Sequence, residues 1–128
     1  MWVMHEGEIS EKLNLPGVPA AAEDCGTARE IAAAAAYDVP VHICHVSTAT
    51  SAALIRDAKA RGVKVTAETA PHYLLLTDEA LEKHDADYRM NPPLRSEKDR
   101  LAMIEAVKDG TIDVIATDHA PHTPAEKR

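Results

Sequence analysis

Apolar positions along the chain fall into three short β-branched runs, at residues 41–46, 63–69 and 112–117, set between longer segments of helical composition. The Ala-rich stretch 19–37 carries Glu23, Arg29 and Glu30 and predicts a helix, with Pro19 near its first turn and Asp38 and Pro40 stopping it. Residues 48–61 predict a second helix, with Ser47 or Thr48 as its N-cap and Gly62 at its C-terminal end. A short helix at 77–84 and a longer one at 97–108, ended by Gly110, complete the set. Residues 1–18 read as irregular, because Gly7, Ser10, Asn14, Pro16 and Gly17 break any period. The order helix, strand, helix, strand, helix, helix, strand predicts an α/β fold, a parallel sheet covered by helices.

Residues with chemical capacity gather where these strands end. His45 ends the first, Glu68 and His72 follow the second, and Asp118, His119 and His122 follow the third. In α/β barrels this end of the sheet is where active sites assemble. The last run reads as a buried strand that delivers a carboxylate and two imidazoles into a loop marked by Pro121; in the plainer alternative Asp118 only caps the next segment and the histidines are solvated. An unpaired carboxylate ending an apolar strand is costly, which suits Asp118 to a metal or to general base work. Period 2 places Ile43 and His45 on one face of the first strand and His42 and Cys44 on the other, so the two histidines are not expected to share one ion. His45 is then either a single neutral imidazole ligand, oriented by a second partner, or a hydrogen-bonded core histidine. Glu68 reads as a buried hydrogen-bond acceptor and His72 as loop packing. Asn91-Pro92-Pro93-Leu94-Arg95 is a rigid turn whose amide and guanidinium suit a carboxylate substrate, or a plain loop before a helix capped by Ser96.

Composition narrows the class. At 128 residues, with one Trp, three Tyr and no Phe, the chain has an aliphatic core of one small domain, as helices packed on parallel strands require. The net charge of -7 argues against nucleic acid or an anionic membrane as partner. Cys25 and Cys44 match no metal or redox spacing and read as reduced, mostly buried thiols. No apolar run has the length of a membrane span and no leader segment opens the chain, so a soluble, cytoplasmic protein is expected.

Four ordered motifs carry a more specific signal. His42-Ile43-Cys44-His45-Val46-Ser47-Thr48, Val65-Thr66-Ala67-Glu68-Thr69-Ala70-Pro71-His72, Asn91-Pro92-Pro93-Leu94-Arg95 and Ala116-Thr117-Asp118-His119-Ala120-Pro121-His122 together resemble the bacterial long-chain dihydroorotases of the amidohydrolase superfamily. Met4-His5-Glu6-Gly7 and Leu13-Asn14-Leu15-Pro16-Gly17 are similar to the segment that precedes those motifs. The resemblance implies a partial (β/α)8 barrel of the metal-dependent hydrolase type, covering roughly strands 6 to 8 and their helices. Residues 1–128 would then be a fragment of one barrel domain, with 1–18 an irregular loop and 19–128 the βα units. It further implies that His45 ligates one ion of a zinc pair and Asp118 the other. Asp118 would also shuttle the proton between the activated water and the ring amide nitrogen, while Asn91 and His122 hold the substrate. The reaction implied is the reversible hydrolysis of dihydroorotate to N-carbamoyl-L-aspartate in pyrimidine synthesis, in a homo-oligomer or a complex with aspartate transcarbamoylase.

The departures from that pattern are equally specific. The family's HxH pair on the first strand, its bridging carboxylate or carbamylated lysine and its histidine on the fifth strand have no counterpart here, and His5 lies in the opening loop. Three strands cannot close an eight-stranded barrel. The polypeptide alone is therefore expected to bind zinc weakly and to turn over no substrate. Two other readings stand beside this one: a hydantoinase, dihydropyrimidinase or allantoinase, which share the barrel and the strand-end His and Asp, with the Pro71-His72-Tyr73-Leu74 motif also suiting an allantoinase, and a non-catalytic dihydroorotase-like scaffold subunit.

Overall fold

A computed structural model describes residues 4–83, 88, 90–119, 123 and 125. The chain runs α1 (Glu8–Lys12), α2 (Ala20–Tyr37), β1 (Val41–Ile43), α3 (Ala49–Ala60), β2 (Val65–Thr69), α4 (Pro71–Leu75), a 3-10 helix (Asp78–Lys83), α5 (Glu97–Lys108) and β3 (Val114–Ile115). The three strands form one parallel sheet in the order β1-β2-β3. Val41 pairs with Val65, His42 with Thr66 and Ile43 with Ala67, and on the other side Glu68 pairs with Val114 and Thr69 with Ile115.

Local chemistry accounts for the long helices. α2 stops where Asp38 takes a left-handed conformation, φ 51°, and hands the chain to Pro40. Thr48 caps α3 by accepting the Ser51 N–H, and Ser96 caps α5 by accepting the Asp99 N–H and donating its hydroxyl to Asp99. Asp99 in turn accepts the Ala49 N–H at 2.8 Å, which ties the start of α5 to the start of α3. Lys59 on α3 reaches both carboxylate oxygens of Asp113, whose carboxylate also accepts the Ala67 N–H, so the approach to β3 is pinned from two sides.

The core lies on one face of the sheet. Ile43, Val65 and Ala67 pack there with Ile31 of α2, Ile55 and Ala58 of α3, and Met103 and Ala106 of α5. β2 alternates as a half-buried strand should: Val65, Ala67 and Thr69 are buried, Thr66 is exposed and Glu68 is intermediate. The opposite face therefore carries His42, Thr66 and Glu68. A second small cluster of Met4, Ile9 and Leu81 holds the N-terminal segment. There Gly17 passes so close to Glu6 that a Cβ would sit 2.4 Å from the Glu6 Cα, and His5 and Val18 form a parallel bridge.

Several expectations are corrected. The strands are shorter than their apolar runs: β1 stops at Ile43, ahead of the left-handed His45, β2 starts at Val65 and β3 covers Val114 and Ile115. The last run is not buried along its length: Val114 and Ile115 are 50% and 49% exposed, with β2 the strand beside β3 among the described residues. Residues 77–84 contain a 3-10 helix rather than an α-helix, and His84 lies outside the described residues. The segment 1–18 is not wholly irregular; α1 forms there, with Ser10 Oγ accepting the Gly7 N–H and donating to the Gly7 carbonyl, both at 2.9 Å. α4 was not anticipated either, although Pro71 at its first position suits a helix start. Cys25 and Cys44 are exposed, not buried.

Candidate active site

Shortly after β1 and β3 comes a non-glycine residue with positive φ, His45 at 56° and Asp118 at 50°. For such residues the left-handed region costs roughly 1 kcal/mol, and it concentrates where side chains must be aimed. After His45 the chain returns to the sheet, with Val46 N–H donating to the Glu68 carbonyl at 2.8 Å and Thr69 Oγ1 to the Val46 carbonyl at 2.7 Å. The turn brings the His45 ring across to the polar face of the sheet. Its Nε2 stands 3.7 Å from Asp118 Oδ1 and its Nδ1 3.7 Å from Glu68 Oε2.

Glu68 also meets His42. Its Oε1 accepts from His42 Nε2 at 3.0 Å, and His42 Nδ1 lies 2.8 Å from Thr66 Oγ1, its partner in the strand register. One carboxylate thus faces both histidines, which strict alternation had put on opposite faces; the period-2 reading fails because β1 ends at Ile43, before His45. Cys44 joins the group. Partial desolvation, followed by a hydrogen bond to Glu68, pushes its thiol above the ordinary range. Among the described residues, the ligand atoms of His42, Cys44 and Glu68 lie within 4.8 Å of one another.

Behind this face stands a buried ionic network that the sequence did not signal. Glu23 of α2 accepts the backbone N–H groups of Ser47 and Thr48, both at 3.1 Å, and both of their hydroxyls. Arg95 lies against it at 3.7 Å, donating to Ser47 Oγ and the Val18 carbonyl, with His5 Nδ1 at 3.2 Å. The Arg95 side chain is 3% exposed. It anchors the loop after β1 and is not available to a substrate, which corrects the expectation that its guanidinium would hold a carboxylate. Burial, then the neighbouring Arg95 charge, lowers the His5 pKa.

Asn91 is exposed, in a turn with a cis Asn91-Pro92 bond. The Tyr73 hydroxyl donates to the Pro92 carbonyl, and the Tyr73 ring packs edge-on against His72 at 4.2 Å between centroids. Burial lowers the His72 pKa, with the Asp118 charge opposing it and His45 adding to it. His72 Nε2 is buried without a hydrogen-bond partner among the described residues, as is His45 Nδ1. His72 and Tyr73 thus link to the Asn91 turn through the Pro92 carbonyl. His119 is exposed, and His122 lies outside the described residues.

The donor set at the strand ends suits a zinc ion. His45 Nε2 and Asp118 Oδ1 stand 3.7 Å apart, so the two groups face one site. An imidazole nitrogen and a carboxylate oxygen are both ordinary zinc donors.

Comparison with known proteins agrees with this reading of the motifs. No family model matches the chain. It is 59% identical over 125 residues to the dihydroorotase of Geobacter sp. (strain M21), which covers 98% of this chain and 29% of that protein. The dihydroorotase of Macrococcus caseolyticus (strain JCSC5402) is 56% identical over 124 residues, 97% of this chain and 29% of its own length. Among solved structures, a D-hydantoinase (dihydropyrimidinase) from Thermus sp. superposes with a TM-score of 0.79 at 30% identity, covering 84% of this chain and 24% of that one. A dihydropyrimidinase from Brevibacillus agri NCHU1002 gives 0.75 at 36% identity, covering 78% and 22%. By sequence the chain is thus similar over nearly its whole length to dihydroorotases, and it spans about 30% of the length of the relatives it matches.

Proposed function

We propose that this chain is the strand 6 to 8 portion of a single (β/α)8 barrel domain in a zinc-dependent cyclic amidohydrolase that interconverts dihydroorotate and N-carbamoyl-L-aspartate. The observation that carries the reading is the meeting of His45 Nε2 and Asp118 Oδ1, 3.7 Å apart, at the C-terminal ends of two strands of one parallel sheet.

His45 and Asp118 would each hold one of two ions. Bound there, such ions would supply water activation and polarisation of the ring carbonyl. Asp118 carries the proton: its carboxylate takes one from the attacking water and delivers it to the amide nitrogen as the C–N bond opens. The neutral His45 ring presents Nε2 to the site while Nδ1 faces Glu68. Asn91 and His122 supply an amide and an imidazole for the substrate carboxylate and ring atoms. The reading implies a cytoplasmic enzyme of pyrimidine synthesis with a small acidic substrate, as a homo-oligomer or beside a transcarbamoylase. No helix among the described residues is long and apolar enough to cross a membrane.

The test is a substrate panel on the full-length protein that carries this chain, with zinc and with chelator. Metal-dependent ring opening of dihydroorotate, in preference to hydantoin, dihydrouracil and allantoin, supports the proposal. Preference for hydantoin or dihydrouracil favours the second reading, which the hydantoinase-type structural neighbours support. No hydrolysis of any of them leaves the scaffold reading. The isolated 128-residue chain should open no ring.

A further inference from the structure

Among the described residues, a continuous run of polar contacts crosses the exposed face of the sheet. Thr66 Oγ1 meets His42 Nδ1 at 2.8 Å, and His42 Nε2 meets Glu68 Oε1 at 3.0 Å. Glu68 Oε2 faces His45 Nδ1 at 3.7 Å, and His45 Nε2 faces Asp118 Oδ1 at 3.7 Å. Five side chains from β1, β2 and the ends of β1 and β3 are thereby set in series.

From this order we infer that Glu68 is the positioning residue for His45, fixing its tautomer and ring orientation, and that His42 holds Glu68 for that task. The inference rests on the proposed metal-dependent reading and deepens it.

The physical argument concerns protons. A neutral imidazole has one N–H and one lone pair, and it can ligate only through the lone pair. In water the two tautomers interconvert, so an unpartnered ring spends much of its time with the wrong nitrogen protonated. His45 Nδ1 is buried and has no hydrogen-bond partner among the described residues, and the nearest acceptor facing it is Glu68 Oε2. A carboxylate accepts and cannot donate, so it stabilises the Nδ1–H form and leaves the Nε2 lone pair directed at Asp118. Closing 3.7 Å to hydrogen-bond distance needs under 1 Å of movement. The Glu68 side chain is 13% exposed, so it is little screened by water.

His42 completes the arrangement. With Nε2–H donating to Glu68 Oε1 and Nδ1 accepting from the Thr66 hydroxyl, every group is satisfied by a neutral ring. One Glu68 oxygen is thus held by His42, the carboxylate also meets the Cys44 thiol, and Oε2 faces His45. Hydrogen-bonding partners of metal-bound histidines typically contribute 10–100-fold in metal affinity.

The experiment uses the full-length protein that carries this chain, with Glu68→Ala and Glu68→Gln variants whose folding is checked by circular dichroism. Long-range proton–nitrogen spectra of the metal-free protein report the tautomer of His45. Wild type should show His45 protonated on Nδ1; E68A should shift it towards protonation on Nε2; E68Q, whose carbonyl still accepts, should restore the wild-type form. Zinc affinity by chelator competition should fall about 10–100-fold in E68A and recover in part in E68Q. A His45 tautomer and a zinc affinity both unchanged in folded E68A overturn the inference. So does a cobalt(II) thiolate charge-transfer band that E68A abolishes, because Glu68 would then be a ligand in a separate centre with His42 and Cys44. A tautomer shift between wild type and E68A, in a wild-type protein that takes up no zinc, overturns the metal-dependent function and leaves the positioning role standing.

Discussion

His45 Nε2 and Asp118 Oδ1 approach to 3.7 Å from the ends of two strands that are not neighbours, since β2 lies between them. Both residues hold the left-handed backbone that turns a side chain out of the strand direction. A parallel sheet alone would place them two strands apart. The turns at their own α-carbons bring them together.

Asp118→Asn keeps the shape and removes the base. In the full-length protein kcat on dihydroorotate should fall by about 10²–10⁴ while the fold is retained. Steady-state kinetics beside metal analysis separate a lost proton carrier, with zinc content kept, from a lost ligand. Wild-type turnover by the variant would remove Asp118 from the chemistry.

Glu23→Ala tests the network behind the site. The change leaves the Ser47 and Thr48 N–H groups without their acceptor and Arg95 buried without its counter-charge. Removing one partner from such a set costs about 3–5 kcal/mol. Urea unfolding should show the full loss in E23A and a smaller one in E23Q, which keeps an acceptor oxygen. A change within about 0.5 kcal/mol would mean the network adds nothing to stability.

Asp78 sets a pH dependence. Burial is the largest influence on it, opposed by its own and the Glu79 N–H groups, and its carboxyl is pushed from the ordinary 3.8 to about 6. The folded chain therefore binds this proton more tightly than the unfolded chain. The cost of the buried charge is absent below about pH 4, grows as pH rises through 6, and is complete above it, at roughly 3 kcal/mol at most. Asp78→Asn should thus be more stable than wild type at pH 8, with the difference vanishing near pH 4. Equal unfolding midpoints for the two proteins at pH 8 would refute this.

Tyr73→Phe should loosen the Asn91 turn without touching the metal ligands. The lost bond to the Pro92 carbonyl is worth about 1 kcal/mol. If Asn91 holds substrate, KM for dihydroorotate rises and kcat holds. A fall in kcat with KM unchanged would instead place Tyr73 in the chemical step.

The amino-acid order by itself determined most of the elements. The Ala-rich run of α2, the caps Thr48 and Ser96 and the stops at Asp38, Gly62 and Gly110 are local signals that act over a few residues, and the helices obey them. The motifs around His45, Asn91 and Asp118 also carried the family resemblance. Tertiary structure decided what local pattern cannot encode. Residues 112–117 read as buried, yet burial depends on what stands on both sides of a strand: Ile112 is enclosed, while Val114 and Ile115 have β2 on one side among the described residues. Arg95 reads from its motif as a substrate contact, but Glu23, Ser47, His5 and the Val18 carbonyl, from distant parts of the chain, enclose it. The convergence of His42 and His45 on Glu68 depends on a strand that ends at Ile43 and a left-handed turn at His45, a conformation uncommon for non-glycine residues that local sequence pattern does not specify.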